Sequence, residues 1–288
     1  MTTKIVEISL VGLQPPRLRS VSHDRSLGEG LPMSSASANA RSDEVSSGLR
    51  ILTTKGVSRP DVERLSEILR DSDPKIVLVF GSVARGEQTV TSDVDLLIVT
   101  QDGDSARVLR NTIREADLDV HPIVFSIGSL LNDDTVYPSF LAHLLEEGRA
   151  LVGQQAWDDV KASLASRISD RTLLDAELRR RIRGLRLFDY PERFRRSPIT
   201  ACSHLYTIAK ATVIVQLLRN DVHEFSWTRA FDRYAELRPD LAGDLDALKQ
   251  LRPYYDASRH RPNTRIPGGK LGTDDIRRLA HSAAAIAE

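Results

Sequence analysis

A turn that joins two short apolar runs constrains this chain more than any other feature. The first run, 76–80, is β-branched and aromatic, and Gly81-Ser82 follows it at once. After ten intervening residues, the pair Asp93 and Asp95 opens a second apolar run that extends to residue 99. Both runs are typical of buried strands. Gly81 lets the backbone turn and approach a ligand with no Cβ in the way.

Two acids share one face of the second predicted strand. Because side chains alternate along a strand, Asp93 and Asp95 point the same way. Neighbouring carboxylates repel each other and need a cation between them, and Mg²⁺ is the ordinary partner where phosphates are also present. Ser82 adds a hydroxyl and a backbone N–H at the start of a short predicted helix, which suits anionic oxygens. The segment therefore predicts a site for a nucleoside triphosphate and a divalent cation.

A third carboxylate is expected on a neighbouring strand. Asp119 is the candidate because it precedes the apolar residues of a strand predicted over 118–125, and Asp117 is the alternative. Three converging carboxylates and a triphosphate describe a two-metal site for in-line displacement, with Asp119 as the base. His121 has the spacing to lie near this site, but we interpret it as a structural histidine.

These residues resemble the nucleotidyltransferases of the DNA polymerase β superfamily. The pattern is similar to the bacterial minimal nucleotidyltransferases over about residues 60–153, roughly a third of the chain. The matching positions are Gly81, Ser82, Ala84, Arg85, Gly86, Ser92, Asp93, Asp95 and Leu96.

The resemblance implies an NTP substrate and two Mg²⁺ ions, with phosphates on Gly81 and Ser82 and metals on Asp93, Asp95 and Asp119. Related enzymes also hold the triphosphate with a lysine from a helical domain. The candidate here is Lys210, for which snorkelling to solvent is the alternative. Arg85 is either a phosphate ligand or a residue of the helix surface.

The fold class expected is α+β, with a small mixed-sheet nucleotidyltransferase domain followed by an α-helical bundle. Residues 1–55 are rich in Ser, Pro, Gly and Arg, which predicts disorder; Met33 is an internal alternative start. We place the catalytic domain at 56–154, with helices over 105–115 and 138–147 and a closing strand over 147–153.

The remaining residues, 155–288, have a helical pattern, with helices predicted over 199–218, 222–237, 241–251 and 274–287. The plan is similar to the HEPN-like domains that accompany minimal nucleotidyltransferases, and also to the helical domains of aminoglycoside nucleotidyltransferases. HEPN ribonucleases carry Arg-x4–6-His, and Arg219 to His223 is one residue short, so ribonuclease activity is not expected.

Composition favours an ordinary cytoplasmic enzyme of 288 residues, long enough for two domains with cores. The formal net charge is zero, so bulk charge indicates no particular partner. Cys202 is the single cysteine, which excludes an internal disulfide framework. We expect no membrane span, because no apolar run reaches the required length, and no signal peptide.

Positive charge is concentrated in the helical half. Residues 171–196 contain nine arginines against four acids, and 259–265 is a second arginine-rich segment. Arginine suits bidentate phosphate contacts, while a solvated helix face is the simpler interpretation of 171–183.

Three functions therefore remain open: nucleotidyl transfer to an RNA or tRNA 3′ end, as in a toxin; transfer to a small molecule such as an aminoglycoside; and AMPylation or binding of a protein partner in a toxin–antitoxin pair.

Overall fold

A four-stranded mixed sheet and a set of helices make up the protein, which confirms the α+β class. The computed structural model describes residues 35–54, 56–87, 94–118, 120, 122–190, 197–226, 228–258 and 271–288, with the backbone only in 35–42.

The sheet has the strand order β3-β2-β1-β4. Its strands are β1 Ile76–Phe80, β2 Asp95–Thr100, β3 Ile123–Ser126 and β4 Arg149–Val152. β1 runs antiparallel to both β2 and β4, whereas β2 and β3 are parallel. Every residue of β1 is buried, as expected of an apolar run in a central strand with both faces covered.

The third strand is shorter than the sequence predicts. We expected it over 118–125, but β3 begins at Ile123. Pro122 directly precedes Ile123, and proline has no N–H for a sheet ladder, so it confines the strand to the residues beyond it. Leu118 and Val120 are buried all the same, which explains why their apolar character mimics a strand.

The helices follow the apolar periodicity. They are α1 Ser35–Thr54, α2 Arg59–Ser72, α3 Gly81–Arg85, α4 Gly103–Glu115, α5 Ile127–Asn132, α6 Pro138–Glu147, α7 Gln154–Ile168, α8 Arg171–Leu185, α9 Pro198–Arg219, α10 Arg229–Leu237, α11 Ala242–Lys249, α12 Arg252–Ser258 and α13 Thr273–Ile286. The helix predicted over 222–237 is wrong in its first part, since α10 begins at Arg229.

Two compact units share the chain, and each is interrupted in sequence. The first contains the described residues of Met1–Ala84, Asp93–Tyr137 and Arg149–Lys161; the second contains those of Arg85–Ser92, Pro138–Gly148 and Ala162–Glu288. The domain boundaries at 55/56 and 154/155 stay predictions.

In the first unit, one face of the sheet packs on α1, α2 and α4. Its apolar cluster includes Leu49, Leu65, Leu69, Val77, Val79, Leu96, Ile98 and Leu109.

The predicted disorder of 1–55 is wrong for α1. Val45, Leu49 and Leu52 recur at helical spacing and are buried in the cluster of the first unit. At Gly48 the backbones of α1 and β4 approach so closely that a Cβ would overlap the carbonyl oxygen of Leu151. The burial of these few apolar residues orders a segment whose overall composition is typical of disorder. Residues 1–34 lie outside the described residues.

In the second unit, α9 is the central helix of the core. By length and composition alone it could cross a membrane, contrary to the expectation from sequence, but 83% of the relevant window is buried inside the protein. That burial is the usual state of the core helix of a bundle. The helices packed around it contribute Leu178, Phe188, Phe231, Leu248 and Leu279 to one cluster.

A buried carboxylate fixes the start of α6 in the second unit. Glu177 of α8 accepts hydrogen bonds from the backbone N–H of Ser139 at 3.0 Å and from its hydroxyl at 2.6 Å. Arg181 donates to the same carboxylate at 2.9 Å. Glu177 thereby accepts hydrogen bonds from groups at the N-terminus of α6 that would otherwise be unsatisfied. Its negative charge also interacts favourably with the positive end of the α6 helix dipole.

The close approach of α1 and β4 at Gly48 predicts that alanine destabilises the protein at this helical position. Ala is ordinarily the better helix former, yet Gly48→Ala should lower the free energy of unfolding by about 1–3 kcal/mol, because overpacking shifts the backbone. Gly128→Ala in α5 is the matched control, because a Cβ there meets open space. Urea unfolding of both variants checks this, and equal stabilities would contradict it.

Candidate active site

Strand pairing brings the predicted turn and one predicted acid together. β1 and β2 are antiparallel, with Phe80 opposite Asp95. The end of β1 therefore meets the start of β2, and Gly81, the next residue, lies beside the Asp95 carboxylate.

The contact between Gly81 and Asp95 leaves no room for a side chain. Gly81 has φ +72°, a left-handed conformation that side chains disfavour. A Cβ at this position would also overlap Oδ2 of Asp95. The backbone angle favours glycine here, and the Asp95 carboxylate occupies the space that a Cβ would take, so a side chain at this position would have to displace it.

Asp95 occupies the sheet face that does not belong to the α2–α4 packing. Leu96 and Ile98 lie in the apolar cluster with those helices, so alternation places Asp95 on the opposite face. Asp95 is half-buried at the start of β2, whereas every later residue of the strand is buried. The carboxylate is therefore held at the end of a rigid strand.

The structure describes only some of the other side chains that the sequence predicts for this site. Ser82 is half-buried in α3, and the short helix predicted at this turn is confirmed. Asp93, Asp119 and His121 lie outside the described residues. Asp117, the alternative to Asp119, is exposed with φ +50°. Within the part of the chain that the structure describes, no three His, Cys, Asp or Glu side chains are grouped to hold a metal ion.

Arg85 is engaged by two carboxylates in the second unit. Its side chain is 15% exposed and contacts Glu147 at 2.5 Å and Glu87 at 2.7 Å. Glu87 also pairs with Arg229 at 3.1 Å, and Arg229 with Glu224 at 3.0 Å. This ion-pair chain indicates that Arg85 anchors the segment following the turn, so it is more than a simple surface residue. Its role as a phosphate ligand stays a prediction.

His143 and Glu147 of α6 extend this chain into the interior. Nε2 of His143 lies 2.6 Å from Oε2 of Glu147, and the imidazole stacks on Phe225 with ring centroids 5.0 Å apart. Burial lowers the pKa of His143, although Glu147 opposes this. Burial raises the pKa of Glu147, but hydrogen bonds from His143 and Arg85 outweigh it and hold that pKa below its usual range.

Lys210 is buried at the centre of α9, with 6% of its surface exposed. Its positive charge contributes to the lowered pKa of His143, so this lysine belongs to the electrostatic neighbourhood of α6. The low exposure argues against the snorkelling alternative. The role of Lys210 as a triphosphate ligand stays a prediction.

Sequence reasoning missed His143 and Glu147. The available signal was their i,i+4 spacing, which places an imidazole and a carboxylate side by side on one helix face. The apolar context of 138–147 made this helix look purely structural.

The domain model named "Nucleotidyltransferase domain" matches residues 62–141. That range contains β1, the Gly81 turn, β2 and β3. Residues 62–141 form a nucleotidyltransferase domain. The expected enzyme class is thereby confirmed, whereas the HEPN-like nature of the helical half stays a prediction.

Two crystal structures are similar to part of the chain. One, of a toxin–antitoxin with AMP-PNP, is 23% identical with a TM-score of 0.28. The other, of a mutant of the toxin–antitoxin MntA-HpeT, is 21% identical with a TM-score of 0.27. Each match covers 36% of this chain and 83% of the other chain. At these TM-scores the similarity does not extend to activity, substrate or partner. No curated protein matches the sequence.

The Gly81 contact predicts a selective loss of nucleotidyl transfer. In Gly81→Ala, the added Cβ displaces the Asp95 carboxylate, so activity should fall by roughly 100-fold or more. Gly86→Ala is the matched control, because Gly86 has φ +73° but a Cβ there meets nothing within 4 Å. Both variants carry the same backbone strain of about 1–2 kcal/mol, so similar activities of the two would refute the role of the contact.

The His143–Glu147 pair predicts a loss of stability in acid. Both pKa values are lowered in the folded protein, so below the ordinary histidine pKa of about 6.5 the unfolded chain binds more protons than the folded one. The free energy of unfolding should therefore fall as the pH drops from 7 to 5. His143→Gln should flatten this dependence in urea titrations, and an unchanged dependence on pH in this variant would contradict the assignment.

Proposed function

We propose that the protein is a Mg²⁺-dependent nucleotidyltransferase that transfers a nucleoside monophosphate from an NTP to the 3′ hydroxyl of an RNA. The observation that carries this proposal is the Gly81 turn held against the Asp95 carboxylate at one end of the sheet of a nucleotidyltransferase domain. An open backbone turn beside a carboxylate suits the phosphates and the cation of an NTP.

The residues present fit a magnesium ion. Asp95 offers hard oxygen donors, and the missing Cβ of Gly81 lets its carboxylate lie against the turn. Asp93 and Asp119 are the further ligands predicted from sequence. When bound, Mg²⁺ would favour deprotonation of the acceptor hydroxyl and stabilise the leaving pyrophosphate.

The chain's own residues bind and orient the reactants in this proposal. Gly81 and Ser82 position the phosphates, so that the acceptor oxygen attacks the α-phosphorus. The bond from this phosphorus to the pyrophosphate oxygen breaks, and Asp119 takes the hydroxyl proton. Positioning and charge stabilisation account for most catalysis of phosphoryl-type transfer.

Charge favours RNA over an aminoglycoside as the acceptor. A cationic drug needs converging acids, and the spare candidates were Asp117, Asp133 and Asp134. Asp117 is exposed, and Asp133 accepts the backbone N–H of Thr135 at 2.8 Å within a turn. By contrast, the sequence 171–196 contains nine arginines against four acids, an excess of positive charge that suits a polyanion.

Incubation with each of the four labelled NTPs, Mg²⁺ and purified tRNA tests the proposal. Label should appear in the RNA, disappear with EDTA, and depend on the RNA 3′ hydroxyl. Asp95→Asn removes a proposed metal ligand. It should therefore lower the rate by more than the roughly 10–100-fold that follows the loss of a residue that only hydrogen-bonds to such a ligand. The control that keeps full activity is Asp104→Asn, which changes an exposed acid of α4 with no predicted role in the site. Labelling of aminoglycoside or protein but not RNA would overturn the choice of acceptor.

A further inference from the structure

An exposed row of arginines runs along α8 into the 3₁₀ turn Arg186–Asp189. Arg179, Arg183 and Arg186, called here the arginine stripe, follow one another at i, i+4 and i+7, so they share one helix face. Leu174, Leu178 and Leu185 are buried on the other side of α8. All three arginines are exposed. At 1.5 Å per residue the stripe is about 10 Å long.

The stripe differs from its neighbours in having no acidic partner among the residues described. Arg181 pairs with the buried Glu177, Arg171 with Asp221, and Asp175 of the same helix with Arg219. These pairs neutralise the flanks of α8 and leave Arg179, Arg183 and Arg186 as an uncompensated row. A solvated helix face was the simpler interpretation of 171–183, but three exposed arginines on one face, beside arginines that are paired, form a local excess of positive charge.

Apolar and aromatic surface continues the stripe. Leu187 is 48% exposed and Tyr190 is 54% exposed, both within four residues of Arg186. One exposed acid, Asp189, lies in the same turn, so the surface keeps an excess of positive charge. Guanidinium groups that face a backbone, next to a ring that can stack on a base, are the combination used to bind single-stranded nucleic acid.

We propose that the arginine stripe and Tyr190 bind the single-stranded end of the RNA acceptor, with the guanidinium groups on its phosphates and the tyrosine ring on a base. This inference rests on the proposed function for the choice of RNA. It assigns to α8 a binding role separate from the chemistry at Gly81 and Asp95.

Fluorescence anisotropy with the full chain and a labelled single-stranded RNA oligonucleotide tests this directly. The variant Arg179→Gln/Arg183→Gln/Arg186→Gln should bind at least about 10-fold more weakly at low salt, because it loses three phosphate contacts. Each lost contact lowers the slope of log affinity against log salt by about 0.7, so this slope should fall by about 2 in magnitude. Tyr190→Leu should weaken binding, whereas Tyr190→Phe, which keeps the ring, should not.

A matched control removes the same charge elsewhere in the second unit. Arg233, Arg277 and Arg278 are exposed but paired with Glu236, Asp274 and Asp275. The variant R233Q/R277Q/R278Q should keep the RNA affinity and salt slope of the wild type. Equally weakened RNA binding in both triple variants would show that net charge alone explains the loss of affinity and would overturn the proposal.

Two further outcomes separate this inference from the proposed function. RNA binding that depends on the stripe, without label transfer to RNA, supports the surface and refutes the reaction. Label transfer with unchanged RNA affinity in the stripe variant supports the reaction and overturns the surface. Displacement of RNA by polyglutamate at equal charge concentration would also overturn it, in favour of an acidic protein partner.

Discussion

The candidate site depends on the antiparallel pairing of β1 with β2. Because Phe80 lies opposite Asp95, the residue that turns the chain and the residue that carries the charge are fixed by the same ladder. Both strands are almost wholly buried, so the packed interior holds them in place. A slip of one residue would send Asp95 to the opposite face of the sheet. The chemistry is therefore tied to strand register.

The ion-pair chain from Glu224 to His143 has a different physical character. Its outer members are partly exposed, where pairing contributes little, but Arg85, His143 and Glu147 are largely buried. For buried charges, removal of one partner costs more than formation of the pair gains. The network is thus better understood as fixing the direction of the chain after the turn than as a source of net stability.

The elements that follow simple periodicity could be predicted from sequence. The strand–turn–strand unit and the helix over 138–147 have local causes that a sequence displays. By contrast, the order of α1 comes from its burial against distant elements, which composition conceals. The contacts of Arg85 have the same origin, because Glu147 is far away in sequence. The positions of Asp93 and Asp119 remain sequence predictions.

The sequence order of the two compact units has a consequence for dissection of the protein. The chain leaves the first unit after Ala84, again after Tyr137 and finally after Lys161, so each unit is assembled from non-contiguous pieces. Helix α6 illustrates this, since its start is capped by Glu177 from a much later helix. Cleavage of a single peptide bond cannot yield either unit whole. A ribosome that has synthesised the turn and its strands has still not made the residues that cap α6, so the second unit must complete itself after the first has emerged.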